Sequence, residues 1–77
     1  MRITVSVHGH LKSSSSVGHD EMTFMLPDAG GMRIRDLLDG LNILEEEIGE
    51  VSANGRRVRM DKTIQGRVRL EFFPKRQ

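Results

Sequence analysis

The sequence predicts an α+β protein in which a mixed sheet of four to five strands packs on one amphipathic helix. Three observations carry this. Apolar residues alternate with polar ones at both ends of the chain. A single stretch in the middle has helical spacing. An Asn-Gly pair then joins two further strand-like runs.

The first strand is Arg2 to His8, where Ile3, Val5 and Val7 alternate with Arg2, Thr4, Ser6 and His8, the period of a half-buried strand. Residues 9–19 follow with Ser13-Ser14-Ser15-Ser16 and two glycines, a composition that gives nothing to bury and reads as a mobile hairpin loop. Met22, Phe24 and Leu26 alternate with Glu21, Thr23 and Met25 in a second strand, which Pro27 and Asp28 terminate.

Gly30 and Gly31 then lead into the helix, where Ile34, Leu37, Leu38 and Leu41 fall at i, i+3, i+4 and i+7. Arg33, Arg35, Asp36 and Asp39 take the opposite face, and Asn42 stands where a left-handed C-terminal residue is common. Gly40 weakens the helix slightly. Ile43 and Leu44 lead to Glu45-Glu46-Glu47, read as a solvated acidic turn, because unpartnered charges stay in water.

Val51-Ser52-Ala53 and Arg56 to Met60 flank Asn54-Gly55, a pair that accepts the positive φ angles of a type I′ hairpin turn. Val58 and Met60 face inward there. Residues 61–66 form a polar connection with one apolar anchor, Ile64. The closing strand places Val68, Leu70 and Phe72 inward and Arg67, Arg69, Glu71 and Phe73 outward. If the first and last strands lie side by side in parallel, with the helix crossing between them, residues 1–77 form a single β-grasp domain. Alternation alone leaves that strand order open.

Composition narrows the chemistry. The 77 residues contain no cysteine, which excludes disulfides, thiolate metal sites and a Cys nucleophile. No apolar run approaches the roughly 18 residues that span a bilayer, and Met1-Arg2-Ile3-Thr4 leads into a strand rather than a signal peptide, so the expectation is a soluble cytoplasmic protein without membrane association. Charge is unevenly distributed. Residues 1–54 carry four Lys/Arg against nine Asp/Glu, whereas residues 55–77 carry eight against two. Such a split can orient an approaching partner.

No enzyme site is legible, and no cofactor or catalytic residue is expected. His8, His10 and His19 lack a carboxylate or thiolate at ligand spacing, so no metal is expected either. Gly30-Gly31 lacks the Lys and Ser/Thr of a phosphate loop. The five methionines read as fillers of core gaps. Arg57, Arg59, Arg67 and Arg69 form a basic outer surface across two neighbouring segments, suited to phosphate or an acidic protein groove. With Phe73 as the one outward aromatic and no Tyr or Trp, nucleic acid is disfavoured.

The sequence resembles the small sulfur carriers of molybdopterin and thiamine biosynthesis, the MoaD/ThiS type of ubiquitin-like protein. The matching residues are Ile3-Thr4-Val5-Ser6-Val7, Leu26-Pro27-Asp28, Ile34-Arg35-Asp36-Leu37-Leu38-Asp39-Gly40-Leu41, Asn54-Gly55-Arg56 and Val68-Arg69-Leu70-Glu71-Phe72-Phe73-Pro74. The resemblance implies a ubiquitin-like β-grasp and a non-enzymatic protein that works through protein partners. It departs from the pattern in three places. Arg33 stands where the family has a capping Thr, leaving about 1 kcal/mol of helix stability for Asp28 or a backbone group to supply. Gly66-Arg67 replaces Gly-Asp before the last strand. Lys75-Arg76-Gln77 replaces the terminal Gly-Gly whose carboxylate, in the family, is adenylated and then carries sulfur.

The last of these departures implies a non-catalytic docking module with Phe73, Pro74, Lys75, Arg76 and Gln77 at the contact. The partner would be a protein such as an adenylating enzyme or a synthase or oxidoreductase subunit. Two alternatives stay open: a sulfur carrier with an atypical C-terminus, and a nucleic-acid-binding β-grasp module of the TGS type, favoured by the arginines.

Overall fold

The computed structural model describes residues 1–11, 17, 21–27 and 30–75. Its elements are β1 (Arg2–Val7), β2 (Met22–Met25), β3 (Met32–Arg33), α1 (Ile34–Leu41), a 3₁₀ turn (Glu45–Glu47), β4 (Ile48–Ala53), β5 (Arg56–Val58), β6 (Thr63–Ile64) and β7 (Arg67–Pro74). Five strands form one mixed sheet in the order β2-β1-β7-β4-β5, and β3 pairs with β6 in a separate two-stranded ladder. β1 and β7 run parallel at the centre, with Ile3 beside Val68 and Val7 beside Phe72, and the other pairs in the large sheet are antiparallel. This is the α+β arrangement of a ubiquitin-like β-grasp.

The alternation seen in the sequence becomes the two faces of that sheet. Ile3, Val5, Val7, Val51, Ala53, Val68, Leu70 and Phe72 bury one face, and Ile34, Leu37, Leu38 and Leu41 of α1 bury against it. Asn54 and Gly55 adopt φ of 52° and 83°, so the β4–β5 turn has the positive angles its residues favour.

Two segments depart from the sequence reading. Within the connection over 9–19, Leu11, 1% exposed, and Val17 belong to the apolar core, while residues 12–16 and 18–20, the four serines among them, lie outside the described residues. Single apolar residues in polar surroundings have no periodicity to betray them. The connection over 61–66 also contains a strand, and Ile64 pairs with Met32 in the second ladder. That ladder has a purpose at the helix. Arg33 makes no side-chain cap, and the N–H groups of Ile34 and Arg35 instead donate to the carbonyls of Lys62 (3.0 Å) and Met60 (2.9 Å). Backbone carbonyls therefore stand in for the capping Thr, and Asp28, the other substitute expected, lies outside the described residues. At the other end Asn42 is left-handed (φ 57°) and the Ile43 N–H reaches the Leu38 carbonyl at 3.0 Å. The turn before β7 closes on β1, where the Arg2 N–H donates to the Gly66 carbonyl at 2.8 Å.

Candidate functional site

β7 is longer than its parallel partner, and its last residues emerge between the end of β1 and the start of β4. The His8 N–H donates to the Phe72 carbonyl at 3.0 Å, which is the last main-chain bond between the two sides. Beyond it, Phe73 lies opposite Glu50 and Pro74 opposite Ile48 on β4, with a register shift between Ile48 and Glu50. The Lys75 N–H then donates to the Glu47 carbonyl at 3.1 Å. Ordered pairing thus runs through Lys75, while Arg76 and Gln77 lie outside the described residues.

Two glycines let the strand end pass this closely. A Cβ at Gly9, whose φ is +60°, would stand 2.7 Å from Pro74 Cγ. One at Gly49 would stand 2.9 Å from both the Lys75 Cα and the Pro74 carbonyl oxygen. The second clash is with backbone, which cannot swing aside. On the outer face of the sheet the Phe73 ring stacks on the His8 imidazole, with centroids 4.4 Å apart and planes 6° from parallel. The His8 Nε2 is buried there without a hydrogen-bond partner among the described residues. Gly49, Glu50, Phe73, Pro74 and Lys75 line an open groove of about 600 Å³. It presents an aromatic and a proline between an acid and a base.

The arginines are distributed differently from a continuous basic surface. Arg67 and Arg69 project from β7 and Arg57 from β5, but β4 lies between these strands, so the two segments are not neighbours. Acidic residues are interleaved with them. The Arg69 guanidinium bonds Glu21 and lies 3.7 Å from Glu71, and Arg57 is 3.4 Å from Glu50. The opposite charges of the two parts of the chain are thereby brought together across the sheet. Arg59 follows β5, and neither it nor Arg67 has an ion-pair partner among the described residues. Arg2 lies beside Arg67 in register, and both line a shallow depression with Thr4, Asn54 and Arg69. Sequence reasoning missed Arg2 because the parallel register that pairs it with Arg67 leaves no mark on alternation.

His10 Nε2 approaches Glu47 at 3.4 Å, and Arg35 pairs with Glu45 at 3.2 Å, so the acidic turn is tied at both ends. Among the described residues no three His, Asp or Glu converge on a common point, and His19 is outside them. No helix among them is long and apolar enough to cross a membrane.

No family model matches the chain, and no curated protein does. Solved structures do. The putative molybdopterin converting factor, subunit 1, from Pyrococcus furiosus superposes with a TM-score of 0.70 at 25% identity, over 96% of this chain and 97% of that one. SAMP1 from Haloferax volcanii superposes with a TM-score of 0.69 at 17% identity, over 97% and 96% of the two chains. A second structure of that small archaeal modifier protein 1 has a TM-score of 0.68, also at 17% identity, with 95% of each chain covered. These neighbours fit a MoaD/ThiS-type ubiquitin-fold family.

Proposed function

We propose that residues 1–77 form a single sulfur-carrier-like domain of the cytoplasm that acts by docking to a protein partner rather than by catalysis. The observation that supports this best is the fixed end of β7. Phe73 stacked on His8, Pro74 against Gly9 and Lys75 bonded to Glu47 make a pre-ordered surface, and pre-ordering removes part of the entropic cost of association. Phe73, Pro74 and Lys75 form the contact, with Arg76 and Gln77 extending it. An adenylating enzyme or a synthase or oxidoreductase subunit is the class of partner. Arg67, Arg69 and Arg57, interleaved with Glu21, Glu71 and Glu50, supply charge selectivity around the anchor.

A second reading, covalent carriage at the C-terminus, is favoured by the likeness to the putative molybdopterin converting factor subunit. One experiment separates the two. The 77-residue protein is incubated with a candidate adenylating enzyme and ATP, and intact mass and co-migration are both recorded. Docking predicts a complex that Phe73→Ala weakens, with the mass unchanged. An adenylate at Gln77, formed from ATP with release of pyrophosphate, would overturn it in favour of carriage.

A further inference from the structure

β2 forms one edge of the large sheet, two strands away from β7. Its backbone is only half used. Leu26 and Met1 exchange both main-chain bonds, the Leu26 N–H donating to the Met1 carbonyl and the Met1 ammonium to the Leu26 carbonyl, each at 2.8 Å. Such pairs alternate along an antiparallel ladder. With Phe24 opposite Ile3 and Met22 opposite Val5, the alternation turns the N–H and C=O of Thr23 and Met25 to the open edge. Neither residue has a main-chain partner on that side among the described residues.

Beside this edge lies a groove of about 340 Å³ between β2 and α1. Met22, Phe24 and Leu26 form one wall, each packed only partly against the core, and Leu37 and Leu41 form the other. Gly40 leaves the helix wall open, since a Cβ there would meet no atom within 4 Å. Asp36 is the charged residue among the described ones that line the groove. Both it and Asp39, on the exposed side of the helix, are free of ion pairs among the described residues.

We propose that this edge and groove bind an extended segment of a partner protein as an added strand, with apolar side chains at alternate positions in the groove and a Lys or Arg against Asp36. Each feature selects part of that ligand. The outward N–H and C=O groups of Thr23 and Met25 require an extended backbone. A groove on one face of the sheet accepts every second side chain. The acidic helix rim requires a cation. A second copy of this chain meets the first two conditions and fails the third, because pairing β2 with β2 turns two acidic rims toward each other. The site is separate from the β7 end and stands whether or not that end is a docking surface.

The test titrates the ¹⁵N-labelled 77-residue protein with the acetylated, amidated peptide Lys-Lys-Val-Ile-Val-Ile, with a Glu-Glu counterpart as control. Saturable amide shifts are expected at Thr23, Met25 and residues 36–41, together with slower hydrogen exchange at the Thr23 and Met25 amides. Gly40→Leu puts a better helix former in α1 and fills the groove, and it should weaken binding by about tenfold or more. Asp36→Lys should weaken the Lys-Lys peptide and strengthen the Glu-Glu one. Absence of shifts at β2, or unaltered affinity in both variants, would overturn the proposal. So would concentration-dependent shifts at Thr23 and Met25 without peptide, which would assign the edge to a second copy.

Discussion

The imidazole of His8 and the ring of Phe73 stack face to face across the end of the parallel β1–β7 pair, with centroids 4.4 Å apart. The contact joins residues from opposite ends of the chain and lies beside the groove at the strand end. Phe73→Ala should cost about 1–2 kcal/mol in urea unfolding, the loss of a half-buried ring and one aromatic contact. The His8 ring protons should lose their ring-current shift in the same variant. An unchanged His8 spectrum would show that the rings do not stack in solution.

Gly49 makes a separate prediction about the same end. A methyl group there meets the backbone of Pro74 and Lys75 at 2.9 Å, closer than real contacts allow. In Gly49→Ala the strand end must move, and the bond from the Lys75 N–H to the Glu47 carbonyl is the first one lost. The Lys75 amide should exchange faster, with a stability cost of about 1–3 kcal/mol. Retained protection at Lys75 would mean that β4 yields instead.

Leu11 tests whether the Ser-rich connection is structural. It is 1% exposed, among the most buried side chains of the chain. Leu11→Ala should cost about 2–4 kcal/mol, a large share of the stability of so small a protein. Thermal or urea unfolding would measure it. A cost under about 1 kcal/mol would be that of a site able to collapse around the lost atoms.

What the sequence revealed follows from periodicity. β1, β2, β7 and α1 are long enough to repeat their pattern, and Asn54-Gly55 encodes its turn in the backbone preferences of two residues. The two-residue ladder of β3 and β6 is too short to repeat anything, so Ile64 shows as an anchor without its strand. Leu11 and Val17 are isolated apolar residues, legible only once a cavity exists for them. The candidate site depends most on register. Phe73 and Pro74 are visible as the end of a strand, yet the stacking partner His8, the flanking Gly9 and Gly49, and the neighbour Arg2 emerge only when parallel and antiparallel partners are aligned. The same alignment breaks up the basic surface, because β4 separates the arginine-bearing strands and carries Glu50.

The helix N-terminus yields the last prediction. Arg33 has the extended backbone of a capping residue (φ −77°, ψ 145°) but makes no side-chain cap. The Lys62 and Met60 carbonyls already accept from Ile34 and Arg35, so the benefit of a hydroxyl at position 33 falls on the next donor, the Asp36 N–H. A threonine also suits β3, where position 33 pairs with Thr63. Arg33→Thr should therefore stabilise the protein by about 0.5–1 kcal/mol, less than a full cap, and raise the unfolding midpoint without changing the denaturant slope. The Asp36 amide should gain exchange protection while those of Ile34 and Arg35 stay as they are. If the variant is destabilised instead, the arginine's aliphatic stem contributes more by covering the ladder than the cap can return.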